Sequence, residues 1–214
     1  TDEDKVMNEW RKFIKDSRSH MSKVHMIDEF KKYVTIDHGI FDHDTMILNT
    51  ESGYVDLTNG ELKDHDIDKM FSEQTTAEYS DNVDCPIWVK FLDQIFNHDK
   101  DLIHYIQKAV GYSVTGSTAE QVLFLLLGIG RNGKSVFINT IRNILGSYAK
   151  QMSVESITVH NYGGSANSDI ARLENTRLVT SSEANEGSRL DESLVKQLTG
   201  GDRILARYLY GQEF

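Results

Sequence analysis

Between Gly128 and Ser135 the chain reads Gly-Ile-Gly-Arg-Asn-Gly-Lys-Ser, a glycine-rich stretch that runs directly into a lysine and a hydroxyl. The spacing matches G-x-x-x-x-G-K-[ST] at every fixed position. Each residue type has a physical task. Glycines let the backbone bend until its N–H groups converge on an anion. A helix starting at the lysine adds the positive end of its dipole. The Lys134 ammonium reaches β- and γ-phosphates, and the Ser135 hydroxyl is a ligand for Mg2+. The pattern predicts a site for a nucleotide with Mg2+, lined by Gly128, Gly130, Arg131, Asn132, Gly133, Lys134, Ser135 and Val136.

Such a loop needs a strand before it and a helix after it. Gln121–Leu127 is a continuous apolar run of buried-strand length. Val136, Phe137, Ile138, Ile141, Ile144 and Leu145 recur at helical spacing, which predicts a helix over 134–145. Another helix is expected at 168–174, followed by a strand at Leu178-Val179-Thr180. Strand, loop, helix, helix, strand is α/β grammar and implies a parallel sheet. The second strand leads through Ser181-Ser182 to Glu183, placed to polarise an attacking water or hold Mg2+, with Glu186 three residues on as a second carboxylate.

Upstream the rhythm differs. The first 35 or so residues have helical periodicity, with Trp10, Phe13, Ile14, Met26, Ile27, Phe30 and Val34 as its apolar positions. Asn59-Gly60 between short strand-like runs is a hairpin signal. After Pro86, Ile87, Phe91, Leu92, Ile95 and Phe96 mark one helix; Leu102, Ile103, Ile106 and Val110 mark another, which Gly111 is expected to end. The expected organisation is therefore a mainly helical domain with a small β element over 1–112, then a P-loop NTPase domain with a parallel sheet over 113–214.

The net charge of −10 divides unevenly. Residues 1–112 carry 13 basic and 23 acidic side chains, whereas 113–214 carry 10 of each. An apolar fraction of 39% supports a core and excludes a disordered chain. No apolar run has the length of a membrane span, the N-terminus is acidic rather than a signal peptide, and Cys85 alone allows no internal disulfide. These features point to a soluble, cytoplasmic protein. The chain does not begin with Met and stops at Phe214 within a strand-like pattern, as expected of a piece of a longer protein.

Taken in order, Gly130–Ser135, Asp169-Ile170-Ala171-Arg172-Leu173, Arg177-Leu178-Val179 leading to Ser182-Glu183, and Leu198-Thr199-Gly200-Gly201-Asp202 with Ala206-Arg207 resemble the superfamily 3 helicase module of phage and plasmid DNA primases. That group includes the poxvirus primase–helicase. Leu48-Asn49, Gly53 to Leu62, and Cys85-Pro86 before a Trp/Phe-rich helix resemble the helical domain that precedes the helicase there, so the resemblance covers roughly 25–214. It implies an AAA+-related ATPase and DNA helicase of a mobile-element replication protein, hexameric around DNA and translocating 3′ to 5′. ATP would lie between subunits, with an arginine from the neighbour. Lys134 and Ser135 become the phosphate and Mg2+ residues, Glu183 the catalytic Walker B acid, and 196–207 the motif leading into a DNA-facing hairpin. Two features depart from the family. Ser182 stands where the second motif often has a first acid, and the chain ends before the fourth motif and the arginine finger, so this piece alone is expected to bind ATP poorly and hydrolyse it slowly, if at all.

For DNA, the candidate residues are Lys196, Arg203 and Arg207. If 203–210 is a strand, Arg203, Leu205, Arg207 and Leu209 share one face and Ile204, Ala206, Tyr208 and Tyr210 the other. The arginines serve phosphates or a neighbouring subunit equally well, and a half-buried strand with solvated arginines fits too. The basic run Lys5, Arg11, Lys12, Lys15, Arg18 and Lys23 around Trp10 is more often a solvated helix side than a nucleic-acid face. His20/His25 and His38/His43, five apart, suit neither helix nor strand geometry for zinc. No role is assigned to Tyr148 or Tyr162. A P-loop small-molecule kinase is the enzymatic alternative, and an assembly module binding a primase portion or another replication partner the non-enzymatic one.

Overall fold

The structure, a computed structural model, describes residues 2–34, 36, 38–159, 166–182, 187–202 and 204–207. Glu183, Glu186, Arg203, Tyr162 and Tyr208 to Tyr210 lie outside the described residues. The chain divides into two compact units, Thr1–Ile40 and Phe41–Phe214.

The first unit consists of α1 (Asp2–Ser17) and α2 (His20–Lys31), where the periodicity predicts helix. Ser19 caps α2, its side chain accepting from the Ser22 N–H at 3.2 Å. Val6, Met7, Trp10, Phe13 and Ile14 form one stripe of α1 and are exposed, with Trp10 and Phe13 edge to face at 5.8 Å.

The second unit opens with an antiparallel sheet in the order β1 (Ile47–Thr50), β2 (Gly53–Asp56), β3 (Glu61–Lys63). Gly60, at φ +77°, makes the expected β2–β3 turn. Two helices follow, α3 (Pro86–Ile95) and α4 (Lys100–Val114). Asp93 of α3 accepts from His98 and Lys100, which hold its carboxyl below the ordinary range and tie α3 to the start of α4. The Asp99 side chain then caps α4 by accepting from the Leu102 N–H at 3.0 Å. α4 does not stop at Gly111. It runs on to Val114 because Val110 and Val114, one turn apart, both pack on the core, and that burial outweighs the helix-breaking tendency of one glycine.

Next come α5 (Lys134–Leu145), β4 (Ala149–Met152), α6 (Ala166–Ala171), β5 (Leu178–Ser181) and α7 (Glu192–Gly200). β4 and β5 are parallel, with Ala149 opposite Leu178 and Met152 opposite Ser181. The helix over 134–145, the strand at 178–180 and the parallel pairing agree with the sequence reading; the helix expected at 168–174 is shorter and ends at Ala171.

The strand expected at Gln121–Leu127 does not form. Every residue of the run is exposed, Leu125 at 68% and Leu127 at 87%. A strand exists only through ladder bonds to a neighbour, and among the described residues the run pairs with neither free edge of the β4–β5 sheet. The strand expected over 203–210 likewise has no ladder at Ile204–Ala206, although the alternation holds: Ala206 is buried, Leu205 and Arg207 exposed.

The main core is the inner face of α5, Phe137, Ile141 and Leu145, with Tyr148 just after it. Residues on both sides of position 112 cover it, including Leu48 from β1, Trp88, Phe91 and Ile95 from α3, Val114 from α4 and Leu178 from β5. The Trp88 ring lies nearly parallel to Phe137 at 5.8 Å, and Phe96 meets Phe137 edge-on at 6.1 Å. Smaller cores gather Met152, Val154 and Ile157 against Leu194 and Leu198, and Ile170, Ala171 and Ala206 against the same two leucines.

Tyr148 is fully buried. Its hydroxyl accepts from the Asn49 N–H and donates to the Asp42 carboxylate, both at 3.3 Å. Burial pushes its pKa up to about 12. Between the unfolded value near ~10 and this folded value, the unfolded chain loses the proton while the native state keeps it, so stability must fall as pH rises through that window. Urea unfolding from pH 9 to 12 should show a loss of about 2 to 3 kcal/mol from this group that disappears in Tyr148→Phe. Parallel pH profiles for the two proteins would contradict the assignment.

Candidate nucleotide site

The loop from Gly128 to Gly133 leads straight into α5. Gly133 is the N-cap residue, left-handed at φ 85°, ψ −3°, and its carbonyl accepts the first helical bond from the Phe137 N–H at 2.9 Å. The amides of Lys134, Ser135 and Val136 therefore have no acceptor within the helix and form the free N-terminal end of a twelve-residue dipole.

Lys134 curls back over its own loop. Its Nζ donates to the carbonyl oxygen of Gly128 at 2.6 Å, to Asn132 Oδ1 at 3.2 Å and to the carbonyl oxygen of Ile129 at 3.5 Å. The ammonium thus spans the loop from its first residues to its last turn and holds it closed. Arg131 is left-handed at φ 64° and exposed, as are Gly130, Ser135 and Val136. Every residue that the sequence assigns to phosphate binding is thus in this one loop and helix start.

Only glycine fits at 133. A Cβ there would lie 2.7 Å from Ile95 Cγ2 and 3.2 Å from Phe91 Cε2, both on α3, besides requiring a left-handed side chain. The motif marks this glycine, but nothing in the local sequence indicates that α3 is what presses on it. At Gly130 a Cβ would meet nothing within 4 Å.

The other expected site residues are not brought to this loop by any contact among the described residues. Ser182 is exposed just past the end of β5, and Glu183 lies outside the described residues. Lys196 sits on α7, 4.0 Å from Glu192 one turn away on the same helix. Arg207 is exposed beyond the buried Ala206. Asp169 has a structural partner, accepting from the Ser156 hydroxyl at 2.7 Å.

Known proteins share parts of this chain. Residues 2–97 match the family model described as D5 N terminal like. The chain is 28% identical over 174 residues to the "Putative helicase L207/L206" of Acanthamoeba polyphaga mimivirus, an alignment covering 79% of this chain and 18% of that protein. It is 31% identical over 122 residues to the "Putative helicase 022R" of Frog virus 3 (isolate Goorha), covering 56% of this chain and 12% of the relative. The chain spans less than a fifth of the length of either relative. These matches bear out the resemblance to the superfamily 3 primase–helicase group, and the chain is similar to two viral proteins named as putative helicases. Among the described residues no helix is long and apolar enough to cross a membrane.

Substituting two of the three loop glycines tests the geometry. Gly133→Ala should cost about 2 to 4 kcal/mol in urea unfolding, from left-handed strain and overpacking against α3. Gly130→Ala should stay within about 0.5 kcal/mol of the parent. Equal effects at the two positions would contradict the account of Gly133.

Proposed function

We propose that this chain is the ATP-binding part of a DNA helicase, a P-loop NTPase domain over 113–214 joined to the preceding helical domain over 1–112, from a viral or mobile-element replication protein acting in the cytoplasm. The observation that carries the reading is the Lys134 ammonium held inside a glycine loop at the exposed N-terminus of α5. The helicase-named relatives support the same class.

The loop suits a polyphosphate on chemical grounds. Three unbonded amides and one ammonium converge at a helix N-terminus, and the glycines keep side chains out of the way. On binding, Lys134 exchanges its bonds to the Gly128 carbonyl and Asn132 for phosphate oxygens, and the amides of Gly133 to Val136 follow the negative charge. Ser135, exposed in the first turn, offers its hydroxyl to Mg2+, which when bound neutralises charge on the phosphate oxygens. Glu183, two residues past β5, polarises the attacking water, while Lys134 and the loop amides stabilise the charge that develops on the transferring phosphoryl group. Assembly as a hexamer, the neighbour's arginine and DNA contacts from Lys196, Arg203 and Arg207 complete the proposal.

In the full-length protein, Lys134→Ala should lower DNA-stimulated ATP hydrolysis by about 100-fold or more. Phosphate release with and without single-stranded DNA measures this. Hydrolysis at the parental rate would end the proposal, and hydrolysis stimulated by a small acceptor rather than by DNA would replace it with a kinase.

A further inference from the structure

The end of the phosphate loop is fixed from outside the loop. Gly133 lies against Phe91 and Ile95, so closely that even a methyl group is excluded. Phe91 stacks on Trp88 at 5.3 Å and 29°, Trp88 stacks on Phe137 at 5.8 Å and 10°, and the Phe137 N–H returns to the Gly133 carbonyl. These four residues close a ring, three links of side-chain packing and one backbone hydrogen bond. Its α3 members lie within the 2–97 region that matches the D5 N terminal like model, and the other two sit at the start of α5. The opposite end of the loop has no such support. Gly128 is tied through its carbonyl to Lys134, and the run before it is exposed and unpaired.

We propose that Phe91 and Ile95 are positioning residues for the phosphate loop, and that nucleotide occupancy at Lys134 is transmitted through Gly133 to the Trp88–Phe91 stack. This rests on the nucleotide reading above and adds to it the element that sets the loop's shape. When Lys134 leaves the Gly128 carbonyl and Asn132 for a phosphate, the loop loses the bonds that hold it closed, and the residue through which it meets α3 is Gly133. A shift of Gly133 towards α3 moves Phe91 or Ile95, because on that side there is no gap to absorb the displacement. Close packing makes the coupling reciprocal: what α3 does to the loop, a ligand in the loop does to α3.

The indole of Trp88 is a natural reporter. The chain has two tryptophans, and Trp10→Phe leaves Trp88 alone. In that background, ATP with Mg2+ is titrated into the full chain while equilibrium dialysis with radiolabelled ATP measures binding independently. Trp88 emission should change along the same isotherm. Ile95→Leu, which keeps the volume but removes the Cγ2 methyl touching Gly133, should weaken ATP binding about tenfold. Leu92→Ile, a change on the same helix and core away from Gly133, should weaken it less than about twofold while shifting the urea midpoint comparably. If dialysis shows no ATP bound to the parent, the nucleotide reading fails and the coupling with it. If ATP binds but Trp88 emission stays constant, or Ile95→Leu binds like Leu92→Ile, only the coupling is overturned.

Discussion

The guanidinium of Arg177 sits where four elements meet. It lies 4.4 Å over the Tyr148 ring, and it donates to the carbonyls of Val114 at 2.9 Å and of Ile47. The Arg177 N–H donates to the Tyr148 carbonyl at 2.9 Å. The C-terminus of α4, the first strand of the antiparallel sheet, the turn after α5 and the start of β5 are thereby held to one planar cation. Burial pulls the guanidinium below its ordinary pKa range, opposed by the nearby Tyr148 and Asp42. The fork satisfies two carbonyls that would otherwise be left unpaired, which a lysine cannot do from one point charge. Because β5 and α5 are anchored here, the parallel pair and the helix that carries the phosphate loop share a fixed frame with the antiparallel sheet.

α5 serves two ends at once. Its inner face supplies Phe137, Ile141 and Leu145 to the main core, and its first turn presents amides and Lys134 to the exterior. A binding loop on a mobile helix would lose its geometry with every excursion of that helix. Here the aromatic packing of Trp88, Phe91 and Phe96 around Phe137 holds the base of the helix one turn from the loop. The acidic excess is separate from this machinery in sequence. Residues 41–112 carry 15 acidic and 5 basic side chains, whereas residues 1–40 balance at 8 and 8. α3, which touches the loop, is part of the acidic stretch, yet the residues that make the contact are apolar.

Elements with strong local signals were legible. The helix over 134–145 follows from its apolar spacing and from the motif before it, the β2–β3 turn from Asn59-Gly60, and α3 from Pro86 in its first turn. The glycine loop ahead of α5 could be placed because a tight loop at a helix N-terminus depends on nearby residues alone. Tyr148 and Arg177 gave no such signal, since their partners lie up to 130 positions away and a lone tyrosine or arginine has no periodicity to read. The contact of Ile95 and Phe91 with Gly133 was hidden for the same reason.

The run Gln121–Leu127 marks the boundary between the two kinds of information. Its composition is that of a buried strand, but pairing is a property of two segments, and no described segment pairs with it. Gly111 shows the converse, a local stop signal that distant packing overrides. By itself the sequence determined the helices with clear apolar faces, the hairpin turn and the glycine loop at the start of α5, because each is decided within a few residues. Only the tertiary structure decided which helix braces that loop, which cation joins the sheets and which apolar run stays unpaired, because each depends on atoms brought together from far along the chain.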